Sequence, residues 1–320
     1  LQHLPSMLYF DSSGNLPQRG HPAISIIAAR PTKIILGDIH QAEDAHRLRE
    51  TLRPWQASEN THPFPTGGAC GYTDYEGQFC FGIYPEMLIY QHAQEQWWQC
   101  GDLVTSMQEP KIPAPLEISS FTASMSQAQY ESHVRSIHEY IAAGDIYQVN
   151  LTQRFAASIS DSSLSPLYKH LRKTTPAPLA MWMNLNGREV LSSSPETFLR
   201  MSHREIETRP IKGTRPRYKD PEADQQSAQD LLTSDKERSE LVMITDLERN
   251  DLGQVCEFGS VKVTDLLTLE KLEQVYHLVS TVSGKLRPEI DHIGALQACF
   301  PGGSITGAPK KRAMEIIAEL

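Results

Sequence analysis

Four segments of this 320-residue chain carry side chains whose type and spacing suit chemistry. The first is Ser194-Pro195-Glu196, a carboxylate directly after a strand-like run of small residues. The second is Thr208-Arg209-Pro210-Ile211-Lys212-Gly213-Thr214, where a lysine lies between a proline-stiffened strand end and a glycine. Sixteen residues separate Glu196 from Lys212, enough for two adjacent hairpin strands to bring them together. A lysine amine attacks carbon only when deprotonated, a state favoured by desolvation or by neighbouring cations such as Arg209 and Arg215. A carboxylic acid beside it could protonate a leaving hydroxyl. An ordinary Lys212–Glu196 ion pair is the commoner use of such residues, so the pair alone decides nothing.

The third segment runs from Ser239 to Gly253, where Glu240 shares a helical face with Met243, Ile244 and Leu247. A carboxylate in an apolar stripe needs a cation or a metal to offset its desolvation. Mg²⁺ takes oxygen ligands and leaves positions for substrate oxygens, while a salt bridge is the commoner alternative. Arg249–Gly253 reads as a polar helix end capped by Gly253. In the fourth segment, Phe300–Lys310, three glycines and two hydroxyls run into a helix with Pro309 near its first turn. Backbone N–H groups at such a start can cradle an anion, but P-loop spacing is absent and a tight turn is the more frequent reading. His277, between Tyr276 and Leu278, reads as a satisfied core histidine.

These residues need elements to hold them. Met7–Phe10, Ile24–Ala28 and Lys33–Leu36 are strand-like, Gln41–Leu52 is helix-like, and Gly67–Gln91 reads as a meander. Prolines 110, 113 and 115 mark Glu109–Ser120 as a linker. Tyr130, Val134, Ile137 and Ile141 then predict a helix between a Ser126 cap and a Gly144 stop. Alternation from Tyr147 to Ile159 predicts one long strand with a buried face. Met181–Leu185, Glu189–Ser192, Phe198–Met201 and Ile206–Arg209 continue as strands, with helices from about Ser234 to Glu248 and after Pro309. This mixed order implies an α+β fold, a two-layer sandwich of largely antiparallel sheets with helices packed outside. The expected domains are a β-rich subdomain, 1–115, and a catalytic domain, 116–320.

Apolar residues at 39% and charged residues at 22% are ordinary for a globular chain, and no apolar run approaches the roughly 20 residues of a membrane helix. A net charge of −9 argues against nonspecific nucleic-acid binding. Within it, Arg200–Lys219 holds seven basic residues against Glu205 and Glu207, which suits either a small anionic ligand or a solvated loop. Five cysteines without a CxxC pair argue against a zinc knuckle or a disulfide framework. Leu1–Phe10 lacks the basic-then-apolar pattern of a secretory signal, so the expected compartment is the cytoplasm.

Taken in order, GDIYQVNLTQRF (144–155), SPETF (194–198), TRPIKGT (208–214), ELVMITDLERNDLG (240–253), HLVST (277–281) and PGGSITGAPKKRAMEII (301–317) resemble one family. It is the chorismate-utilising enzymes, which include anthranilate, aminodeoxychorismate, isochorismate and salicylate synthases. The resemblance implies the anthranilate-synthase type of fold. It also implies the aminating branch, because Lys212 stands where anthranilate and isochorismate synthases typically carry alanine. In the implied reaction Lys212 attacks C2 of chorismate, Glu196 protonates the departing 4-hydroxyl, and ammonia adds at C4. Glu240 would bind Mg²⁺, Gly213 and Thr214 would contact substrate, and His277 and Thr306 would line the pocket. Ammonia would come from a glutaminase subunit or domain. The family continues past residue 320 with a substrate-binding arginine, a glycine-rich loop and a second Mg²⁺-binding glutamate, so this chain is expected to be truncated and inactive alone. An anthranilate synthase component, and a noncatalytic module that docks the glutaminase, are the alternatives.

Overall fold

The computed structural model describes residues 3–12, 23–55, 64–109, 116–159 and 163–320. Pro110, Pro113 and Pro115 of the expected linker lie outside the described residues. The chain forms two compact units, Leu1–Leu116 with Asp161–Pro195, and Glu117–Ser160 with Glu196–Leu320. Instead of crossing once near 115, it crosses after residues 116, 160 and 195. The reason is strand pairing. Leu179–Leu185 pairs antiparallel with Leu8–Asp11, so the hairpin it forms with Arg188–Ser194 belongs to the N-terminal sheet.

In the first unit that sheet has six strands, interrupted in sequence between Ile24–Ala28 and Met87–Gln91 by a three-stranded sheet of Lys33–Asp38, Gln78–Tyr84 and Gly68–Thr73. Leu8, Tyr84, Met87, Ile89, Met183 and Leu185 form its largest buried cluster. A buried polar group sits beside the apolar one. Ser25 Oγ donates to Asp11 Oδ1 at 3.0 Å, and Arg172 pairs with the other carboxylate oxygen. These contacts satisfy a carboxylate that would otherwise be costly to bury.

The second unit is organised by one strand, Val275–Lys285, the most buried long strand of the unit. Lys262–Lys271 pairs along one of its edges. Glu205–Arg209 and Ile211–Pro216 pair in succession along the other, and Ser280 N–H donates to Pro210 O at 3.1 Å across the joint. Pro210 has no N–H to offer a ladder, so the break between the two strands falls there. All these pairings are antiparallel, and with the helices they give the α+β class the sequence implies. Thr208 and Lys212 alternate onto the face covered by the Asp235–Gly253 helix, where Leu231, Leu241, Tyr276 and Leu278 are buried together.

Several boundaries follow local chemistry. Ser126 caps the Gln127–Ala143 helix in a capping box with Gln129, and Gly144 ends it at φ +83°. Other expectations are corrected. The long strand from Tyr147 to Ile159 is two short ones, because Gln148–Val149 pairs with Gly307–Ala308 whereas Phe155–Ala156 pairs with Thr122–Ala123. Tyr147 and Phe155 are consequently exposed. Arg249–Gly253 is the helix end, but Gly253 is its last helical residue with Gln254 as the cap, and Asp251 and Leu252 are buried. Among the described residues no helix is long and apolar enough to cross a membrane.

The register of Ile211–Pro216 shifts between Lys212 and Thr214, with Gly213 at φ +82° as the extra residue of a bulge. A Cβ there would lie 2.9 Å from Leu231 and 3.0 Å from Glu237. Gly213→Ala is therefore expected to destabilise the fold by about 1 kcal/mol or more, read as a lower urea midpoint at unchanged slope.

Candidate active site

Lys212 leaves the sheet on the helix-covered face with 14% of its side chain exposed. Its ammonium donates to Ser304 O at 3.0 Å and lies 3.7 Å from Glu240 Oε1. Glu240 is thus an ionic partner of Lys212. Gln148 Nε2 donates to the same Glu240 oxygen at 2.8 Å, while Gln148 Oε1 is buried with no hydrogen-bond partner among the described residues. The cations expected to act on Lys212 are matched elsewhere: Arg209 pairs with Glu270, and Arg215 with Glu237. Arg204 and Arg217 pair with Glu257 and Asp224, so the basic stretch is mostly internal ion pairs and not a solvated loop.

Glu196 reaches the same place from the turn before Thr197–Ser202. Its Oε1 accepts from Ile211 N–H at 3.3 Å, one residue before Lys212. Burial raises its pKa above the ordinary glutamate value, against the opposing pull of the Ser304 hydroxyl, the Ile211 amide and the Lys212 charge. A carboxyl biased toward its protonated form beside a lysine is the pairing a general acid requires.

The loop Pro301–Pro309 closes the site from the other side. Ser304 O accepts from Asn150 Nδ2 at 2.7 Å as well as from Lys212. Gly303 N–H donates to Glu248 Oε1 at 3.0 Å, and a Cβ on Gly303 would fall 2.1 Å from Leu247. Gly303 is thus needed for close approach to the helix, and its N–H meets a protein acceptor. Lys310 Nζ binds Asp251 Oδ2 at 2.7 Å, Cys299 O at 2.8 Å and Pro301 O at 3.0 Å. Burial pushes Asp251 above the ordinary aspartate range, and the Lys310 charge pulls the other way.

The remaining expected residues occupy other positions. Thr214 and His277 face each other across the ladder at 2.9 Å between Oγ1 and Nδ1. In register Lys212 stands opposite Leu278 and Thr214 opposite His277, neighbours that alternate to opposite faces, so the Gly213 bulge separates Thr214 from the lysine. Burial lowers the His277 pKa, opposed by the Gly213 carbonyl and the Glu270 charge. Thr306 is fully buried and its hydroxyl donates to Gly302 O at 3.1 Å, which shapes the loop.

For Mg²⁺, no group of three or more His, Cys, Asp or Glu side chains converges among the described residues. Glu240 offers a single half-buried carboxylate. That fits the way Mg²⁺ binds through one or two carboxylates with substrate and water completing the shell.

Sequence reasoning passed over Gln148, Asn150, Ser304, Glu248, Asp251 and Lys310. Gln148 and Asn150 carried a signal, polar residues alternating with the apolar ones of 147–151. Lys310→Met would leave Asp251 buried without its cation, with an expected loss of about 3–5 kcal/mol in stability by chemical denaturation.

A family model described as chorismate binding enzyme matches residues 16–320. Aminodeoxychorismate synthase component 1 of Bacillus subtilis is 35% identical over 304 residues, covering 82% of this chain and 64% of that protein. Its counterpart from Salmonella typhimurium is 44% identical over 217 residues, 68% of this chain and 48% of that protein. The chain therefore spans about half to two thirds of the length of these relatives. The crystal structure of anthranilate synthase component I from Streptococcus pneumoniae TIGR4 superposes with a TM-score of 0.80 at 26% identity, over 95% of this chain and 78% of that one. With that fold, and with a lysine and two carboxylates gathered at its 301–309 loop, the chain belongs to the family of chorismate-binding enzymes.

Proposed function

We propose that this chain is part of the synthase component of an aminodeoxychorismate synthase, whose full-length form aminates chorismate at C4 to give 4-amino-4-deoxychorismate on the way to 4-aminobenzoate and folate. The observation that carries the reading is Lys212, a half-buried amine held between Ser304 O and Glu240 beside a carboxyl biased toward its protonated form. The names of the two sequence relatives point the same way.

With Lys212 deprotonated, its Nζ forms a bond to C2, both ring double bonds shift, and the C4–O bond breaks as Glu196 delivers its proton to the departing hydroxyl. Water leaves. Ammonia then bonds to C4, the double bonds return, the C2–Nζ bond breaks to release the lysine amine, and the new ammonium at C4 returns a proton to Glu196. The net change is chorismate plus ammonia to aminodeoxychorismate plus water. Gln148 Oε1, a buried acceptor without a partner among the described residues, suits an N–H of the incoming ammonia. Glu240 would hold Mg²⁺, whose charge would bind the substrate carboxylate at C1. Gly213, Thr214, His277 and Thr306 serve on this geometry by shaping the strand and loop that present Lys212. A glutaminase partner supplies the ammonia, a reading supported by the designation component 1 in both relatives. Five free thiols fit a reducing cytoplasm.

A second reading, anthranilate synthase, is favoured by the name of the superposed structure. Product analysis of the full-length gene product with chorismate, Mg²⁺ and ammonium separates the two. Aminodeoxychorismate without pyruvate is expected, whereas anthranilate with pyruvate would overturn the proposal. Glu196→Gln is expected to lower kcat by about 10²–10⁴-fold. Because burial raises the Glu196 pKa, the acid stays protonated to higher pH than an ordinary glutamate. Activity is then lost as pH rises through the folded-state value, a limb the Gln variant should lack.

A further inference from the structure

Glu248 is not part of the chemistry proposed above, yet it is among the most deeply buried charges of the fold, 2% exposed. It lies on the same helix as Glu240, two turns further along. One carboxyl oxygen accepts from Gly303 N–H at 3.0 Å, and the other from Thr208 Oγ1 at 3.3 Å. Those two partners belong to the two halves of the site. Thr208 is four residues before Lys212, on the same helix-covered face. Gly303 precedes Ser304, whose carbonyl oxygen receives the Lys212 amine and whose hydroxyl bonds Glu196. Leu247 packs so closely on Gly303 that no side chain fits there. Only backbone can approach, and Glu248 supplies the acceptor it needs.

We propose that Glu248 is a positioning residue, a buried clamp that ties the 302–306 loop to the Thr208–Lys212 strand and so fixes the acceptor that orients the Lys212 amine. It touches neither substrate nor the reacting atoms. Its effect on turnover rests on the amination reading; its effect on the loop does not.

The protonation of the clamp follows from its surroundings. Asp251 faces it from its own helix, Lys310 from the C-terminal helix, Glu196 from the turn before Thr197, and Cys299 from the His292–Cys299 helix. Desolvation, then the Asp251 charge, push its pKa up to about 7 against the pull of Lys310. The protonated form satisfies both partners: one oxygen accepts from Gly303 N–H, and the O–H donates to the Thr208 hydroxyl, which can accept. A glutamine reproduces this arrangement with its carbonyl and amide. For an acid whose folded pKa is raised, the closed state holds the proton more tightly than the open one. Closure is thus strongest below the open-state value and weakens as pH rises toward about 7.

Hydrogen exchange of the full-length protein, read by mass spectrometry on peptides spanning 301–309 and corrected for intrinsic rates, tests this from pH 4.5 to 8. In the parent, protection should fall as pH rises and level off above neutrality, and in Glu248→Gln it should be flat. Glu248→Ala should lose about tenfold in protection there, with other segments unchanged. With chorismate and ammonium, Glu248→Ala should lower kcat about tenfold or more with KM within about twofold, and Glu248→Gln should recover most of it. Parent-like exchange of 301–309 in Glu248→Ala overturns the clamp, as does a Gln variant that keeps the parent's pH dependence. If the parent makes no aminated product, the amination reading fails while the exchange result still decides the clamp. Should Glu248→Ala fail to fold, Glu248→Gln carries the test alone.

Discussion

A lysine amine with little access to water must find its acceptors inside the protein, and the second unit is arranged around the two that Lys212 finds. One is a backbone carbonyl, Ser304 O; the other is a carboxylate, Glu240. A backbone acceptor can be supplied only if the loop that carries it is pressed against the sheet and helix. That requirement accounts for Gly303, which has no room for a side chain against Leu247. It also accounts for Lys310, which gathers Cys299 O, Pro301 O and Asp251 at the point where the loop becomes a helix.

The same helix delivers carboxylates at two depths for different ends. Glu240, partly exposed, faces the lysine and is open enough to exchange partners. Glu248 and Asp251 are buried, with both pKa values raised by desolvation, and their partners are Gly303 of the loop, Thr208 of the strand and Lys310 at the start of the helix that follows the loop. Breaking such a buried network costs far more than an exposed pair contributes, which is why the interior contacts and not the surface ion pairs hold the site geometry. On the opposite face of the sheet, Arg209, Glu270, Thr281, His277 and Thr214 form a second polar set that keeps the Gly213 bulge in register.

Much of this was legible wherever the cause was local. Ser126 and Gly144 announced a helix because its cap and stop are written in neighbouring residues. The approach of Glu196 to Lys212 was legible because a hairpin of that length has few alternatives. The Pro221–Thr233 helix also has a local start, the Asp220 cap followed by Pro221. The break in the 147–159 strand had no local sign. Its two halves are claimed by partners more than 150 residues downstream and about 30 residues upstream, Gly307–Ala308 and Thr122–Ala123. Discontinuity of the units was hidden for the same reason, because the pairing of Leu179–Leu185 with Leu8–Asp11 is a long-range contact. The pairing of Glu240 with Lys212, and the contacts of Glu248, depend on how a helix lies on a sheet, which spacing alone does not encode.

The central claim is that Lys212 is a nucleophile and not a structural cation. Its most direct test is mass spectrometry of the full-length gene product incubated with chorismate and Mg²⁺ in the absence of any ammonia source. The account predicts an added mass equal to chorismate less water, on the peptide that contains Lys212, which disappears when ammonium is supplied. An adduct on a different lysine, or amination that proceeds at the parental rate in Lys212→Ala, would contradict it.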